Sequence, residues 1–307
     1  MVNMNTKKST DILWGTDPEL FAVYQKNAVK FALPPYFFRK VLGVQASDDE
    51  KHPVFLENET WKLHEDGAAF EMAIHPSKNP RELFDNIHLC KLAAETTILK
   101  KFPEHVEPEL QFLPTVGFEI ERWKDEGDDF RMSTRFGCDP DRDAYNFDVE
   151  SRDEDASAHP FRYGGGHIHW SGSKLSEEEP ILATKCMSMS AGLAAILYSD
   201  TPNLDKRRTY MYGKPGKYRI QRYGKNNPFG EEYANGMEYR TPSNRWASNW
   251  DMASKVFEWA EIGIRSLLEG GLGKVLLEEI SQEVCDAIVQ ADQKVAGQLL
   301  GYIETKV

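Results

Sequence analysis

Long apolar runs are missing from this 307-residue chain. The longest, around Met189 to Tyr198, falls short of the ~20 residues that cross a bilayer, so no membrane partner is expected. Cysteines are few and scattered: Cys90, Cys138, Cys186 and Cys285 form no CxxC pair and no closely spaced framework. Reduced, structural thiols follow, not the disulfide staples of a small secreted scaffold. Positive charge is also scarce. Lysine and arginine number 37 against 49 aspartates and glutamates, a net charge of -12, and a duplex carrying one phosphate charge per ~1.7 Å would be repelled, so nucleic acid is not the main partner. Met1 to Thr10 is polar, with no apolar h-region. The expectation is a flexible stretch at residues 1–10 and a cytoplasmic location. No glycine loop of the Rossmann or P-loop type follows any strand-like segment, which removes the commonest nucleotide-binding folds.

What the chain does have is a hydrophobic content of 40%, enough for a large core. Leu13 to Leu33 reads as two short strands about a polar turn at Gln25 to Asn27. Asp66-Gly67 marks a hairpin turn, after which Ala68, Phe70, Met72 and Ile74 alternate with Ala69, Glu71 and Ala73, the two-residue period of a strand. Pro80 to Lys101 carries Leu83, Ile87, Cys90, Ala94 and Ile98 at helical spacing, with Asn79 as cap and Pro80 at the first position. Val116 to Glu121 alternates like a strand with a solvated acidic face at Glu119 and Glu121. Trp123 to His159 is crowded with charge and reads as an elaborate loop or a set of short surface elements. Strands follow within Arg162 to Trp170 and at Gly236 to Thr241, with a helix over Glu177 to Ser199 between them. From Trp250 the chain is helical, with Val256, Trp259, Ala260, Gly263 and Leu267 on one face and a break at Gly270-Gly271. Strands first, a mixed middle and helices last argue for an α+β fold.

Chemistry gathers at a few places. In Gly164-Gly165-Gly166-His167-Ile168-His169-Trp170 the two histidines project to one face of a strand, and three glycines let a ligand approach the backbone closely. In Glu238-Tyr239-Arg240 a carboxylate and a guanidinium share a face; an ordinary ion pair on a sheet would look the same. Glu19 follows an Asp-Pro turn, and Glu71 sits between alanines. Lys206, Arg207, Arg208, Lys214, Lys217, Arg219, Arg222 and Lys225 form the one dense cluster of positive charge. Carboxylates suit a hard divalent cation and planar arginines suit phosphate oxygens, so together these residues fit a metal-nucleotide site.

Taken in order, Gly15-Thr-Asp-Pro-Glu-Leu-Phe21, Asp66-Gly-Ala-Ala-Phe-Glu71, Gly137-Cys-Asp-Pro-Asp-Arg-Asp-Ala-Tyr145, Gly165-Gly-His-Ile-His169, Arg207-Arg208 with Tyr212-Gly-Lys-Pro-Gly-Lys-Tyr-Arg219, and Glu238-Tyr-Arg-Thr-Pro-Ser243 before Trp246 resemble the phage-type carboxylate-amine ligases, or amidoligases, a branch similar to glutamine synthetase and glutamate-cysteine ligase. The resemblance spans roughly residues 11 to 250. It implies a curved antiparallel sheet with helices packed on one side, residues 11–307 forming one catalytic domain whose part at 250–307 is mostly helical, and ATP and magnesium or manganese on the concave face. In such ligases the γ-phosphate of ATP passes to a carboxylate and an amine attacks the acyl phosphate, which requires positioning and charge neutralisation more than a protein nucleophile. The expected metal ligands are Glu19, Glu71, His167 and Glu238; Arg207, Arg208, Lys214, Arg219, Arg240 and His169 would hold the nucleotide; Glu71, Glu238, Arg240 and Arg219 would carry the chemistry. Partners would be small-molecule or peptide carboxylates and amines, in the host cytoplasm if the chain is phage-encoded. The oligomeric state stays open. So do two other readings: a metal-dependent hydrolase built on His167 and His169, and a non-catalytic phage protein that retains the fold.

Overall fold

The computed structural model describes residues 12–44, 53–101, 108–136, 141–146, 149–150, 154–155, 157–172, 179–222, 228–230, 233, 235–269 and 274–306. Residues 1–10, Cys138, the start of the Gly137 to Tyr145 motif, Lys225 and the Gly270-Gly271 break lie outside them. In chain order the elements are β1 (Leu13–Thr16), β2 (Glu19–Lys26), β3 (Val29–Leu33), α1 (Pro35–Leu42), β4 (Val54–Glu57), β5 (Trp61–Asp66), β6 (Ala69–Ser77) and α2 (Pro80–Thr97). Then come β7 (Glu109–Gln111), β8 (Thr115–Gly117), α3 (Ile120–Trp123), α4 (Asp128–Ser133), β9 (Arg135–Phe136), β10 (Asp141–Asp143), β11 (Val149–Glu150), β12 (Glu154–Asp155), β13 (Phe161–Tyr163) and β14 (Ile168–Ser171). The last part holds α5 (Glu179–Met187), a π-helical turn at Ser188–Gly192, α6 (Leu193–Leu197), α7 (Pro202–Met211), β15 (Lys217–Arg222), β16 (Asn235–Tyr239), α8 (Trp250–Glu269), α9 (Lys274–Gln290) and α10 (Gln293–Glu304).

One large sheet runs β11-β10-β15-β16-β14-β1-β6-β2-β3-β8-β13, with β5 and β4 extending from β6 and β7 pairing with β2. Every pair of strands described is antiparallel except β3 with β8, so the α+β class holds and the sheet is mixed at that one edge. The step between β1 and β2 is central. Both pair with β6 (Thr16 opposite Ile74, Glu19 opposite Glu71), and Asp17-Pro18 breaks the strand between them because proline has no N–H for the ladder.

The sheet has a greasy face and a charged one. Trp14, Trp170, Ile168, Met237, Tyr239, Phe70 and Met72 are buried on the first, where α2 and α5 pack against strands and Phe257 of α8 meets Trp14 edge-on at 5.6 Å. Burying each such side chain is worth roughly 1.5–3 kcal/mol. All of these join one continuous apolar cluster. Tyr239 donates from its hydroxyl to Ser188 Oγ at 3.1 Å inside the π-helical turn. The helical run 180–197 is longer than the apolar stretch read from the sequence, because α5 and α6 join through that turn. Its hydropathy and length meet those of a membrane span, and 72% of it is buried within the protein, as a core helix requires.

Several local expectations change. Leu13 to Leu33 forms three strands, not two, and the β2–β3 turn falls at Asn27 and Ala28, both with positive φ (51° and 63°), as the tight hairpin demands. The alternation at Val116 to Glu121 does not make a strand to its end. After Gly117 the chain closes into α3, and Glu119 turns back to bond Tyr24 Oη and Lys26 Nζ, the latter at 2.6 Å. Asn79 caps α2 as expected, accepting from Arg81 N at 3.0 Å.

At the far side of the sheet a fully buried ammonium, Lys217 Nζ, lies 3.3 Å from Asp143 Oδ2. Asp143 also accepts from the backbone N–H groups of Tyr145 (2.9 Å) and Asn146 (3.2 Å). Burial alone would raise its pKa, but the Tyr145 N–H, the Asn146 side-chain amide donating at 3.1 Å and Lys217 outweigh it and hold the carboxyl below its ordinary value of 3.8. A depressed folded pKa stabilises the protein above the unfolded value and loses that contribution as pH falls through the folded one. Asp143→Ala should therefore cost about 3 kcal/mol at neutral pH. In urea denaturation the gap to the parent should shrink as pH falls below the ordinary carboxylate range; a gap that persists there would place the effect elsewhere.

Candidate functional site

Register alone assembles two rows of side chains on the charged face. Across β15, β16, β14 and β1, Arg219 lies opposite Glu238, Glu238 opposite His169, and His169 opposite Gly15. Across β2, β6 and β5, Glu19 lies opposite Glu71 and Glu71 opposite His64. Directly opposed residues share a face. Asp17, at the strand break, sits between the rows, and Gly15 lets the His169 side chain lie against it, with His169 Cβ 3.3 Å from where a Cβ of its own would be.

Around Asp17, buried polar atoms crowd together. Its Oδ1 is 3.1 Å from His167 Nδ1 and 3.2 Å from His169 Nε2, and His167 Nδ1 is also 3.1 Å from Glu238 Oε1. None of Asp17 Oδ1, His167 Nδ1 and His169 Nε2 makes an aligned hydrogen bond, although all three are buried. Buried polar atoms left so are costly. One ligand atom from each of Asp17, His169 and Glu238 lies within 4.8 Å of the others, and the same is true of Glu19, Asp66 and Glu71. Both sets have the donors that divalent cations take, and the second is all oxygen, as a hard cation prefers.

Electrostatically the two sets differ. Glu238 is fully buried and paired with Arg240 Nη1; its Oε2 accepts from Gln221 Nε2 at 2.7 Å and lies 3.6 Å from Arg219 Nη1. Burial would raise its pKa, yet Arg240 and the two imidazoles hold it well below the ordinary carboxylate value. Asp17 is likewise lowered against burial by His169 and His167. Both imidazoles are raised, desolvation being outweighed by Asp17 and Glu238 although Arg240 opposes at His167. In the second set burial and neighbouring acid act together. Glu71 is raised well above the usual range by burial, Asp66 and Asp17, and Glu19 is pushed up to about 7 by burial and Asp66. That is the signature of negative charge short of a partner. His64 Nε2 at 3.2 Å from Glu71 Oε1 and the Gly165 N–H donating to Glu19 Oε2 at 3.0 Å offset part of it.

The structure thus brings together Glu19, Glu71, His167, His169, Glu238, Arg219 and Arg240. It does not gather the whole basic stretch into one patch. Arg208 is 1% exposed and donates to Thr241 O at 2.6 Å; Arg207 is exposed and lies over the Phe161 ring at 4.3 Å; Lys217 is buried on Asp143. Lys214 is exposed, and its carbonyl receives the Thr241 hydroxyl at 3.0 Å. The helical period of α7 and the strand period of β15 send neighbouring cations in different directions.

Asp17, Asp66 and His64 were not singled out from the sequence. Their signals were present: Asp17 is two residues before Glu19 and shares its parity, and a two-residue loop at Gly67-Ala68 pairs Asp66 with Ala69 and His64 with Glu71. The three glycines serve a different purpose from ligand access. An added Cβ at Gly166 would lie 2.5 Å from Ser243 O and 2.6 Å from Trp246 Nε1, because residues 243–246 press against this segment. Trp246 Nε1 donates to Gly166 O at 2.9 Å, and Asn244 Nδ2 to Glu19 O at 2.7 Å. The glycines seat Glu19 and His167 from behind.

No protein-family model matches the chain, and no curated protein does. Among solved structures it is similar to a novel glutamine synthase homolog at 11% identity and a TM-score of 0.40, covering 95% of this chain and 67% of the other. It is similar to Plasmodium falciparum glutamine synthetase at 11% identity and a TM-score of 0.40, with 83% of this chain matched to only about half, 52%, of that enzyme. A third is the Pup ligase PafA in complex with Pup, at 10% identity and a TM-score of 0.37, covering 97% and 67% of the two chains. What chemistry the face can perform is decided by its side chains.

Gly166→Ala should lower stability by about 1–3 kcal/mol, the usual cost of overpacking, read as a shift in denaturation midpoint. An unchanged midpoint together with lost ligand binding would restore the ligand-access reading.

Proposed function

We propose that the protein is an ATP-dependent carboxylate-amine ligase of the amidoligase type, working through an acyl phosphate. The observation that carries this reading is the pairing of two cation-suited clusters side by side on one sheet face, with Arg240 and Arg219 braced on Glu238 at their edge. The sequence motifs Gly15 to Phe21, Gly165 to His169 and Glu238 to Ser243 lie on the strands and segments that build them. A one-cation hydrolase built on His167 and His169 would leave the Glu19, Asp66 and Glu71 set without a task, whereas a reaction that must neutralise a polyphosphate uses both sets.

In this assignment Glu19, Glu71 and Asp66 hold one magnesium or manganese ion, and Glu238, Asp17 and His169 a second, with His167 Nδ1, 3.1 Å from both of those carboxylates, as a further ligand. Bound divalent cations would offset the charge of the phosphate oxygens during transfer. Arg219 and Arg240 face those oxygens, each oriented by Glu238, and a guanidinium held so costs little to reorganise during the reaction. Arg208 acts from within the fold, and Arg207 and Lys214 are left out of the inner site. A carboxylate oxygen of the substrate attacks the γ-phosphorus, the bond to the β-phosphate oxygen breaks and ADP leaves. An amine then attacks the acyl carbon, and phosphate departs as the amide forms. No serine or cysteine nucleophile is required, in keeping with thiols at Cys90 and Cys186 that burial pushes up to about 12.

The test is a comparison of thermal stability with ATP, magnesium, both and neither. Binding to the native state alone stabilises by about 2.7 kcal/mol at a hundredfold excess over Kd. ATP and magnesium together should exceed the sum of the two alone, and Glu71→Gln should abolish the excess. With a panel of small carboxylates and hydroxylamine as amine, the parent protein should release ADP and form a hydroxamate, and Glu71→Gln should lose both products together. Release of AMP and pyrophosphate would contradict the acyl-phosphate route. Turnover without nucleotide would favour the hydrolase.

A further inference from the structure

Tyr212 stands at the end of α7, buried at 6% exposure, and its side chain has no role in the assignment above. Its backbone N–H donates to Arg208 O at 2.7 Å, and the next residue, Gly213, has φ +68°. The left-handed glycine is needed because the buried Arg208 guanidinium lies against it where any Cβ would go. That guanidinium sits 5.0 Å from the Tyr212 ring centre. Arg208 is thereby a wedge: donating to Thr241 O and pressing on Gly213, it fixes where the tyrosine ring points.

The ring points at the charged face. Tyr212 Oη accepts from Arg240 Nη2 at 3.1 Å and lies 3.4 Å from His167 Nε2, with the tyrosine and imidazole ring centres 6.4 Å apart. A phenolic oxygen has two acceptor positions. Arg240 fills one, and His167 Nε2 lies at 3.4 Å, where a proton on that nitrogen would fill the other. The opposite nitrogen, Nδ1, lies 3.1 Å from each of Asp17 Oδ1 and Glu238 Oε1; without a cation it would serve them as an N–H donor, and with the proton on Nε2 it would offer its lone pair there. Two carboxylate oxygens facing a lone pair repel it, unless a cation stands between them.

We propose that Tyr212 is a positioning residue that fixes the ring and the tautomer of His167, so that Nδ1 is the ligand atom of the second cation cluster. This rests on the cation-binding reading above. Histidine ligands ordinarily donate their other N–H to an oxygen, and removing that oxygen costs about 10–100-fold in metal affinity. Here the oxygen is phenolic and is itself held by Arg240, which ties the orientation of the cation ligand to that of a phosphate-facing arginine.

The experiment is a manganese titration of the full chain, followed by electron paramagnetic resonance, on the parent, Tyr212→Phe, His167→Asn and Glu71→Gln. Tyr212→Phe removes one oxygen and leaves the ring. It should weaken one class of manganese sites about tenfold, the class that His167→Asn loses, and leave the class that Glu71→Gln loses unchanged. Manganese binding by Tyr212→Phe equal to the parent, while His167→Asn loses a class of sites, would overturn the proposal and leave the cation reading standing. If neither His167→Asn nor Glu71→Gln alters the titration, the cation reading itself fails, and this inference with it. A second measurement needs no variant. Nitrogen-15 shifts of His167 in the magnesium-loaded protein should report the proton on Nε2, and a proton on Nδ1 would overturn the proposal.

Discussion

Five carboxylates, those of Asp17, Glu19, Asp66, Glu71 and Glu238, share one sheet face, and burial sets what each must have beside it. Taking an ionised carboxylate out of water is costly unless an opposite charge or several donors come with it. Glu238 has both: Arg240, Arg219, Gln221 and His167 surround it. Asp17 has two imidazoles. Glu71 has the His64 imidazole beside it and Glu19 the Gly165 N–H, yet burial and the neighbouring Asp66 still raise the pKa of both. On the proposed reading, cations bound from outside would lower that cost.

The arrangement depends on a proline. Were β1 and β2 one unbroken strand, Asp17 would hydrogen-bond in the ladder like its neighbours. Pro18 interrupts the N–H row, its carbonyl instead accepts from Met72 N at 3.2 Å, and Asp17 is left at the seam between two rows. From there it reaches both histidines. On the other face Trp14 packs on Phe257 of α8, Tyr239 bonds Ser188 and Trp170 is buried, so the strands that carry the charged rows have little freedom to slip. A one-residue slip would exchange the two faces, burying carboxylates among tryptophans.

Much of this was legible in the sequence wherever a single period ran through a segment. The alternation about Glu71, the helix that starts at Pro80 with its Asn79 cap, and the shared face of Glu238 and Arg240 all follow from spacing, although that helix ends at Thr97 and a 3-10 turn, not α-helix, covers Leu99–Lys101. The acidic strand face at Glu119 was not legible, because a tertiary contact with Lys26 and Tyr24 overrides a local pattern that would suit a strand. Asp66 read as turn chemistry, and only the register of the hairpin places it beside Glu19 and Glu71. Arg208 read as a phosphate ligand by its neighbours in sequence. Burial, which composition cannot report for a single side chain, turns it into a support for Tyr212. The three glycines before His167 read as room for a ligand; the room is taken by residues 243–246, over seventy positions away.

The central claim is that the face holds two cations, each in its own cluster, and location tests it most directly. A crystal grown with manganese and a non-hydrolysable ATP analogue, measured for anomalous scattering, should show two peaks. One should lie ~2.0–2.6 Å from carboxylate oxygens of Glu19, Asp66 and Glu71, and the other should lie between Asp17, His167 and Glu238. An anomalous map with no peak within about 8 Å of either cluster, well beyond direct ligation, would contradict the account.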